Sequence, residues 1–252
     1  MIKKTQIELT IFALLLICVF LSNSIDVYIY NYFSKLKIKT DTAYLIDFFA
    51  GITKLGDSLW YFIIFPAIYL TALFLKKLKI TSLKNYYNLK NFSLFSFFYL
   101  FLVGLITQII KHLLGRPRPN HTNTEGGVEF YFFSTDASFH SFPSGHSSTI
   151  IAVTLIVSLV LPKLKIFFYI CGFLIAISRV LIGAHFITDV IAGGVLAVII
   201  YKIINLYFSE KYQYFSTNNF EIKNVSLFFK SMVIFLSIAI FISFGFSFDI
   251  FF

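Results

Sequence analysis

Apolar runs long enough to be membrane spans alternate along this chain with short polar stretches. A helix needs about 20 mostly apolar residues to cross the hydrocarbon core, and on that rule spans are predicted near residues 6–22, 58–75, 91–112, 144–161, 166–184 and 185–207. A last apolar stretch at about residues 225–246 carries Lys230 and predicts a seventh span. The expected fold class is therefore all-α: a polytopic transmembrane helical bundle of six core spans plus a seventh. Residues 23–57 break the pattern, with Lys35, Lys37, Lys39 and Lys54 set against Asp26, Asp41, Asp47 and Asp57 among many aromatics. That composition predicts a segment lying at the membrane interface, with its tyrosines at headgroup level.

Composition agrees with the pattern. Hydrophobic residues make up 58% of the chain and charged residues 13%, against about 25% charged in soluble domains. The 252 residues read as a single membrane domain, 1–252, with residues 208–252 an extra C-terminal segment of no assigned role. The N-terminal Met-Ile-Lys-Lys and the apolar run behind it resemble a signal peptide, but no small-x-small cleavage pattern follows, so an uncleaved first span is expected. Cys18 and Cys171 both fall inside apolar runs and imply no disulfide framework.

The net charge of +9 does not point to nucleic acid, because the lysines gather in short loops between spans. Lys3 and Lys4, the loop with Lys76, Lys77, Lys79, Lys84 and Lys90, then Lys163 and Lys165, then Lys202, Lys211 and Lys223 all fall on one side, which the positive-inside rule makes cytoplasmic. Three polar clusters then share the opposite, outer side. They are Lys111 to Pro119, Ser141 to His146, and Ser178-Arg179 with His185 and Asp189. Charge and imidazole at membrane depth are costly and mark function by default.

Their chemistry is complementary. His185 and Asp189 are four apart, so on a helix they share a face, and the carboxylate can take the Nδ1 proton and leave Nε2 as a nucleophile. Such a pair can also merely tie two helices together. Pro143-Ser144-Gly145-His146 opens a span, with Ser144 as a cap, a first turn of free N–H groups that suits an anion, and His146 placed to protonate a leaving alkoxide. Pro117 and Pro119 end the third span and follow Arg116 and Arg118, whose planar forks suit phosphate oxygens. No His, Cys or carboxylate spacing suggests zinc. His112, His121 and His140 are not assigned to the site.

Lys111-x6-Arg118-Pro119, Pro143-Ser144-Gly145-His146 and Ser178-Arg179-x5-His185-x3-Asp189 resemble the three signature motifs of the type-2 phosphatidic acid phosphatase superfamily, in order, spacing and residue type. They cover about residues 111–189, and the family spacing selects Arg118 over Arg116. The resemblance implies an integral membrane lipid phosphatase. His185 would form a phosphohistidine, Asp189 would orient it, and His146 would act as general acid and then base. Lys111, Arg118, Arg179, Ser144 and Gly145 would hold the phosphate, with no metal or cofactor and no obligate protein partner. The expected substrate is a membrane lipid phosphate, such as lipid A, undecaprenyl diphosphate, phosphatidylglycerol phosphate or phosphatidic acid. The expected location is a bacterial inner membrane with the site facing outward. Competing classes are a vanadate-dependent haloperoxidase, a non-catalytic lipid-phosphate binding or transport protein, and a membrane-anchored general acid phosphatase.

Overall fold

The computed structural model describes residues 10, 13, 23–37, 43–79, 82–122 and 128–211. Within them the chain forms α1 (Asn23–Lys37), α2 (Ala43–Ile52), α3 (Ser58–Lys77), α4 (Leu83–Leu114), α5 (Gly145–Val160), α6 (Lys165–Leu181) and α7 (Ile187–Lys211), with no strand among the described residues. Helices α3, α4, α6 and α7 are long and apolar enough to cross a membrane, and α5 is apolar but shorter. The protein is a multi-pass helical membrane protein. The spans expected near residues 6–22 and 225–246 lie almost wholly or wholly outside the described residues.

Local chemistry explains where the helices depart from the hydropathy pattern. Helix α4 starts about two turns before the apolar run expected there, because the Ser82 hydroxyl accepts from Asn85 N–H at 3.2 Å and caps it. It ends at Gly115, whose φ of 56° is left-handed and whose N–H reaches the Lys111 carbonyl. Pro117 and Pro119 cannot continue it. Helix α7 starts at Ile187 rather than at residue 185, so His185 lies in the loop before it.

In lipid, helices are held by close packing and interhelical hydrogen bonds rather than by escape from water. Both are present here. Phe92, Phe95, Tyr99 and Val103 of α4 pack with Ala152 and Ile156 of α5 and with Leu196, Ala197 and Ile200 of α7. Tyr99 donates its hydroxyl proton to the Ala197 carbonyl at 2.7 Å. Helix α3 joins through Phe65, edge-on to Phe92 at 6.0 Å, and through the Ser93 hydroxyl, which donates to the Phe65 carbonyl. A Cβ on Gly193 would lie 2.5 Å from the Ser144 carbonyl oxygen. Only glycine therefore lets α7 meet the start of α5 this closely. Cys171 is a half-buried free thiol on α6.

The end of α4, the start of α5, the end of α6 and the start of α7 converge at one end of the bundle. Ser141 N–H donates to the Arg116 carbonyl and Ser144 N–H to the Asp189 carbonyl, each at 2.9 Å. The segment between α1 and α3 also reaches this end. Tyr28 and Tyr44 are exposed, as an interfacial segment requires, yet Asp26 and Thr53 are buried. The expectation of a segment confined to the interface is corrected: two of its side chains are drawn into the polar end of the bundle.

Candidate active site at one end of the bundle

His185 is 2% exposed and Asp189 is fully buried. They do not share a helix face, contrary to the sequence expectation. The loop after α6 turns at Gly183 (φ 71°), His185 N–H caps back onto the Arg179 carbonyl at 3.2 Å, and Asp189 sits in the first turn of α7. The Asp189 carboxylate caps that turn by accepting from Phe186 N–H at 2.9 Å. The two side chains still face each other, with His185 Nδ1 3.6 Å from Asp189 Oδ2. The Ser141 hydroxyl stands between, 3.4 Å from Nδ1 and donating to the same carboxylate oxygen at 2.5 Å. Hydrogen bonds of this kind often tighten only when a substrate is bound. Burial pushes the His185 imidazole down to about 3, and the Asp189 carboxylate beside it pulls the other way without offsetting this. A neutral ring with Nδ1 turned to Asp189 keeps a lone pair on Nε2.

Lys111, Arg118 and Arg179 lie close enough to repel one another through space, and all three act on His146. Lys111 is 6% exposed, with its ammonium donating to the His140 carbonyl at 2.6 Å. Its Cε passes 3.8 Å from where a Cβ on Gly145 would stand. One Nη of Arg179 donates to the Thr53 hydroxyl at 3.2 Å. Among the described residues, the Nε of Arg118 and the Nε of Arg179 are buried without a hydrogen-bond partner. Three cations with donors to spare form a site suited to several anionic oxygens at once.

Helix α5 completes this side. Ser144 is its N-cap, and its hydroxyl accepts from Ser147 N–H at 3.4 Å and from the Ser147 hydroxyl at 2.9 Å. With its own N–H given to the Asp189 carbonyl, Ser144 serves helix α5 and the seam to α7. The first two helical N–H groups, those of Gly145 and His146, have no intrahelical acceptor and carry the positive end of the helix dipole. His146 is half-buried. A Cβ on Gly56 would meet its Cβ at 3.1 Å and its Cδ2 at 3.2 Å, so Gly56 lets the turn before α3 back the ring. Ser178 donates its hydroxyl proton to the Ile175 carbonyl at 2.6 Å.

The structure brings all eight sequence-predicted site residues to one end of the bundle and adds residues that sequence reasoning missed. Arg116 is fully buried and pairs with both Asp26 and Asp189. Thr53 anchors Arg179, and Ser141 bridges the His–Asp pair. Ser141 precedes the Pro-Ser-Gly-His run and Arg116 sits in the Arg-Pro-Arg-Pro run, so their neighbourhoods were visible but not their partners. Asp26 and Thr53 lie in a segment whose composition reads only as interface. Of the remaining histidines, His112 is exposed and meets His140 with ring centroids 4.2 Å apart at an interplanar angle of 49°, and His121 is exposed.

Fold and site together define a multi-pass helical membrane protein with a cluster of cations and histidines at one end of its bundle. Residues 92–213 match the model of the PAP2 superfamily. It is 38% identical over 99 residues to lipid A 1-phosphatase of Rhizobium johnstonii, covering 39% of this chain and 41% of that protein. It is 31% identical over 122 residues to phosphatidylglycerophosphatase B of Bacillus subtilis, covering 44% of this chain and 55% of that one. The chain thus spans between about two fifths and just over half of these relatives. Among solved structures, the transmembrane PAP2-type phosphatidylglycerolphosphate phosphatase of Bacillus subtilis superimposes with a TM-score of 0.59, at 24% identity, over 83% of this chain and 98% of its own. That match shows a shared fold.

Proposed function

We propose that this protein is a membrane lipid phosphatase that removes phosphate from a lipid through a phosphohistidine. The observation that carries the reading is the juxtaposition of His185, its Nδ1 turned to Asp189, with three cations, two of which, Arg118 and Arg179, keep a buried Nε without a partner among the described residues. Lys111, Arg118, Arg179 and the N–H groups at Gly145 and His146 hold the phosphate oxygens. Ser144 contributes by fixing that helix start. His185 Nε2 attacks phosphorus, the bond from phosphorus to the lipid oxygen breaks, and His146 gives its proton to the leaving alkoxide. Water then attacks the phosphohistidine, His146 takes a water proton, and free phosphate leaves with neutral His185 restored. The cations supply the charge stabilisation of the phosphoryl transition state, so no metal enters the scheme.

The bundle in this reading has six core spans and a seventh, sits in a bacterial inner membrane, and presents the site on the outer side. The lysine-rich loops at the opposite end support that orientation. The substrate is a lipid phosphate, with the phosphate groups of lipid A first among the candidates because of the lipid A 1-phosphatase relative. Phosphatidylglycerol phosphate and undecaprenyl diphosphate follow.

Phosphate release from a panel of these lipids by the purified full chain in detergent tests the reading. Turnover of at least one lipid, unchanged in excess chelator and inhibited by vanadate as a transition-state mimic, is the expected result. Loss of all turnover in chelator with recovery on adding magnesium would overturn it.

A further inference from the structure

Arg116 heads the largest fully buried side chains described, and the mechanism above does not use it. Its guanidinium joins two carboxylates from distant parts of the chain. Nη2 pairs with Asp26 Oδ2 of α1 at 2.7 Å. Nη1 pairs with Asp189 Oδ1 and donates to the Thr188 hydroxyl at 2.8 Å. The plane lies 4.4 Å from the centre of the Phe186 ring. Asp26 in turn accepts from Thr188 N–H at 3.2 Å and from the Thr188 hydroxyl, and Tyr30 of the same helix meets Phe186 edge-on at 6.3 Å. A buried ion triad of this kind is a poor device for stability, because desolvating three charges costs about as much as their attraction returns. What it does supply is a fixed orientation. Asp189 has Oδ1 tied by Arg116, and Oδ2 tied by Ser141 and the Phe186 N–H. The carboxylate cannot rotate away from His185.

We infer that Arg116 and Asp26 are positioning residues for the nucleophile: Asp26 of α1 fixes the Arg116 fork, and the fork holds Asp189 in line with His185. Helix α1, interfacial by composition, is thereby part of the working enzyme. The inference rests on His185 being the nucleophile and Asp189 its orienter. Arg116 touches no substrate in this scheme. The phosphate is held by Lys111, Arg118 and Arg179, which stay as they are when the triad is altered.

A double-mutant cycle on the full-length protein in detergent decides it, with kcat and KM expressed per folded molecule from gel filtration. Asp26→Asn and Arg116→Lys, which keeps the charge but not the fork, should each lower kcat by about 10- to 100-fold, the usual cost of losing an outer partner of a functional ring, while KM changes less than about twofold because uniform binding is untouched. In an Asp189→Asn background the same changes should cost almost nothing more, because the group they position is already impaired. Equal losses in both backgrounds, or a rise in KM at unchanged kcat, would overturn the inference. Failure of both variants to fold would do the same, since the triad would then be a structural tie. His185→Ala separates the two levels. If that variant keeps wild-type turnover, the phosphohistidine reading fails and takes the positioning role with it. If it is inactive while Asp26→Asn and Arg116→Lys keep wild-type kcat, only the positioning role fails.

Discussion

Two halves of the pocket differ in how completely their polar atoms are partnered. On the nucleophile side, Asp189 receives Arg116, Ser141 and the Phe186 N–H, and Asp26 receives Arg116 and Thr188 twice, all within a region 0–2% exposed apart from Thr188 at 9%. On the cation side, Arg118 and Arg179 each keep a buried Nε without a partner among the described residues, and His146 is half-buried. In the first half both carboxylates are fully engaged, although the Nε of Arg116 is also buried without a partner among the described residues. The second is arranged for oxygens that arrive with a ligand. A group whose geometry must be fixed before reaction is locked by its own protein, whereas donors meant for a transition state are left to be satisfied by it.

The contrast breaks most sharply at His185. Replacing it with Ala removes the nitrogen proposed to attack phosphorus, and in a concerted site such a loss costs on the order of 10⁶ in kcat. Since the polar neighbours of the ring are only Ser141 and Asp189, and the backbone N–H of residue 185 keeps its bond to the Arg179 carbonyl, the protein should still elute as a folded species. Turnover assays on that species check the prediction, and substantial activity would remove the covalent mechanism.

Asp189→Asn comes next. In the proposed mechanism the residue orients the imidazole, and loss of an orienting carboxylate beside a catalytic histidine costs about 10⁴ in kcat. An amide also faces Arg116 with a smaller partial charge, leaving the guanidinium short of a counter-charge. A loss in kcat confined to roughly 10-fold or less would mean that Ser141, not Asp189, sets the ring.

On the open half the effect should be smaller. Arg179→Lys keeps the charge but removes the fork and the unpartnered Nε, and one donor in a charge-stabilising set is worth about 10² to 10³ in rate. Vanadate should lose affinity in parallel, because it reads the same donors. Inhibition constants for vanadate, measured beside kcat/KM, test this. A fall in rate with unaltered vanadate affinity would place Arg179 outside the phosphate cradle.

What the sequence made legible follows the same division. The cation side was read nearly complete, because Lys111, Arg118, Arg179 and His146 are charged or titratable residues at the edges of apolar runs, where their cost makes them conspicuous. The partnered half was read only in part. His185 and Asp189 were found through their spacing, but that spacing suggested a shared helix face. In fact Gly183 turns the chain and the contact is made from a loop to a helix cap. Arg116 and Arg118 both precede prolines, and nothing local separates a residue that faces a ligand from one that is swallowed by two carboxylates. Asp26 and Thr53 were invisible as site residues, since their roles come from contacts across 90 residues or more. In the middle of the chain the helices fall where apolar runs were expected, though α5 is shorter than the span expected there.

Thr53 gives the gentlest test of whether that hidden contribution matters on the open half as well. Its hydroxyl accepts from Arg179 across 126 positions of sequence, and it is 6% exposed. Val fills nearly the same space without the oxygen, so helix packing near the turn before α3 should survive. The bond lost is one to a charged donor, worth about 1.5–3 kcal/mol when buried. Part of that returns when Arg179 finds phosphate oxygens instead. The net effect on kcat/KM should therefore be about 10-fold, below that of altering Arg179 itself. Kinetics on Thr53→Val beside Arg179→Lys and the double variant measure it. If Thr53 acts by aiming Arg179, the double variant should be no worse than Arg179→Lys alone. If the two losses multiply, Thr53 supports the pocket through packing against α6, and the interfacial segment would contribute to the locked half of the site only.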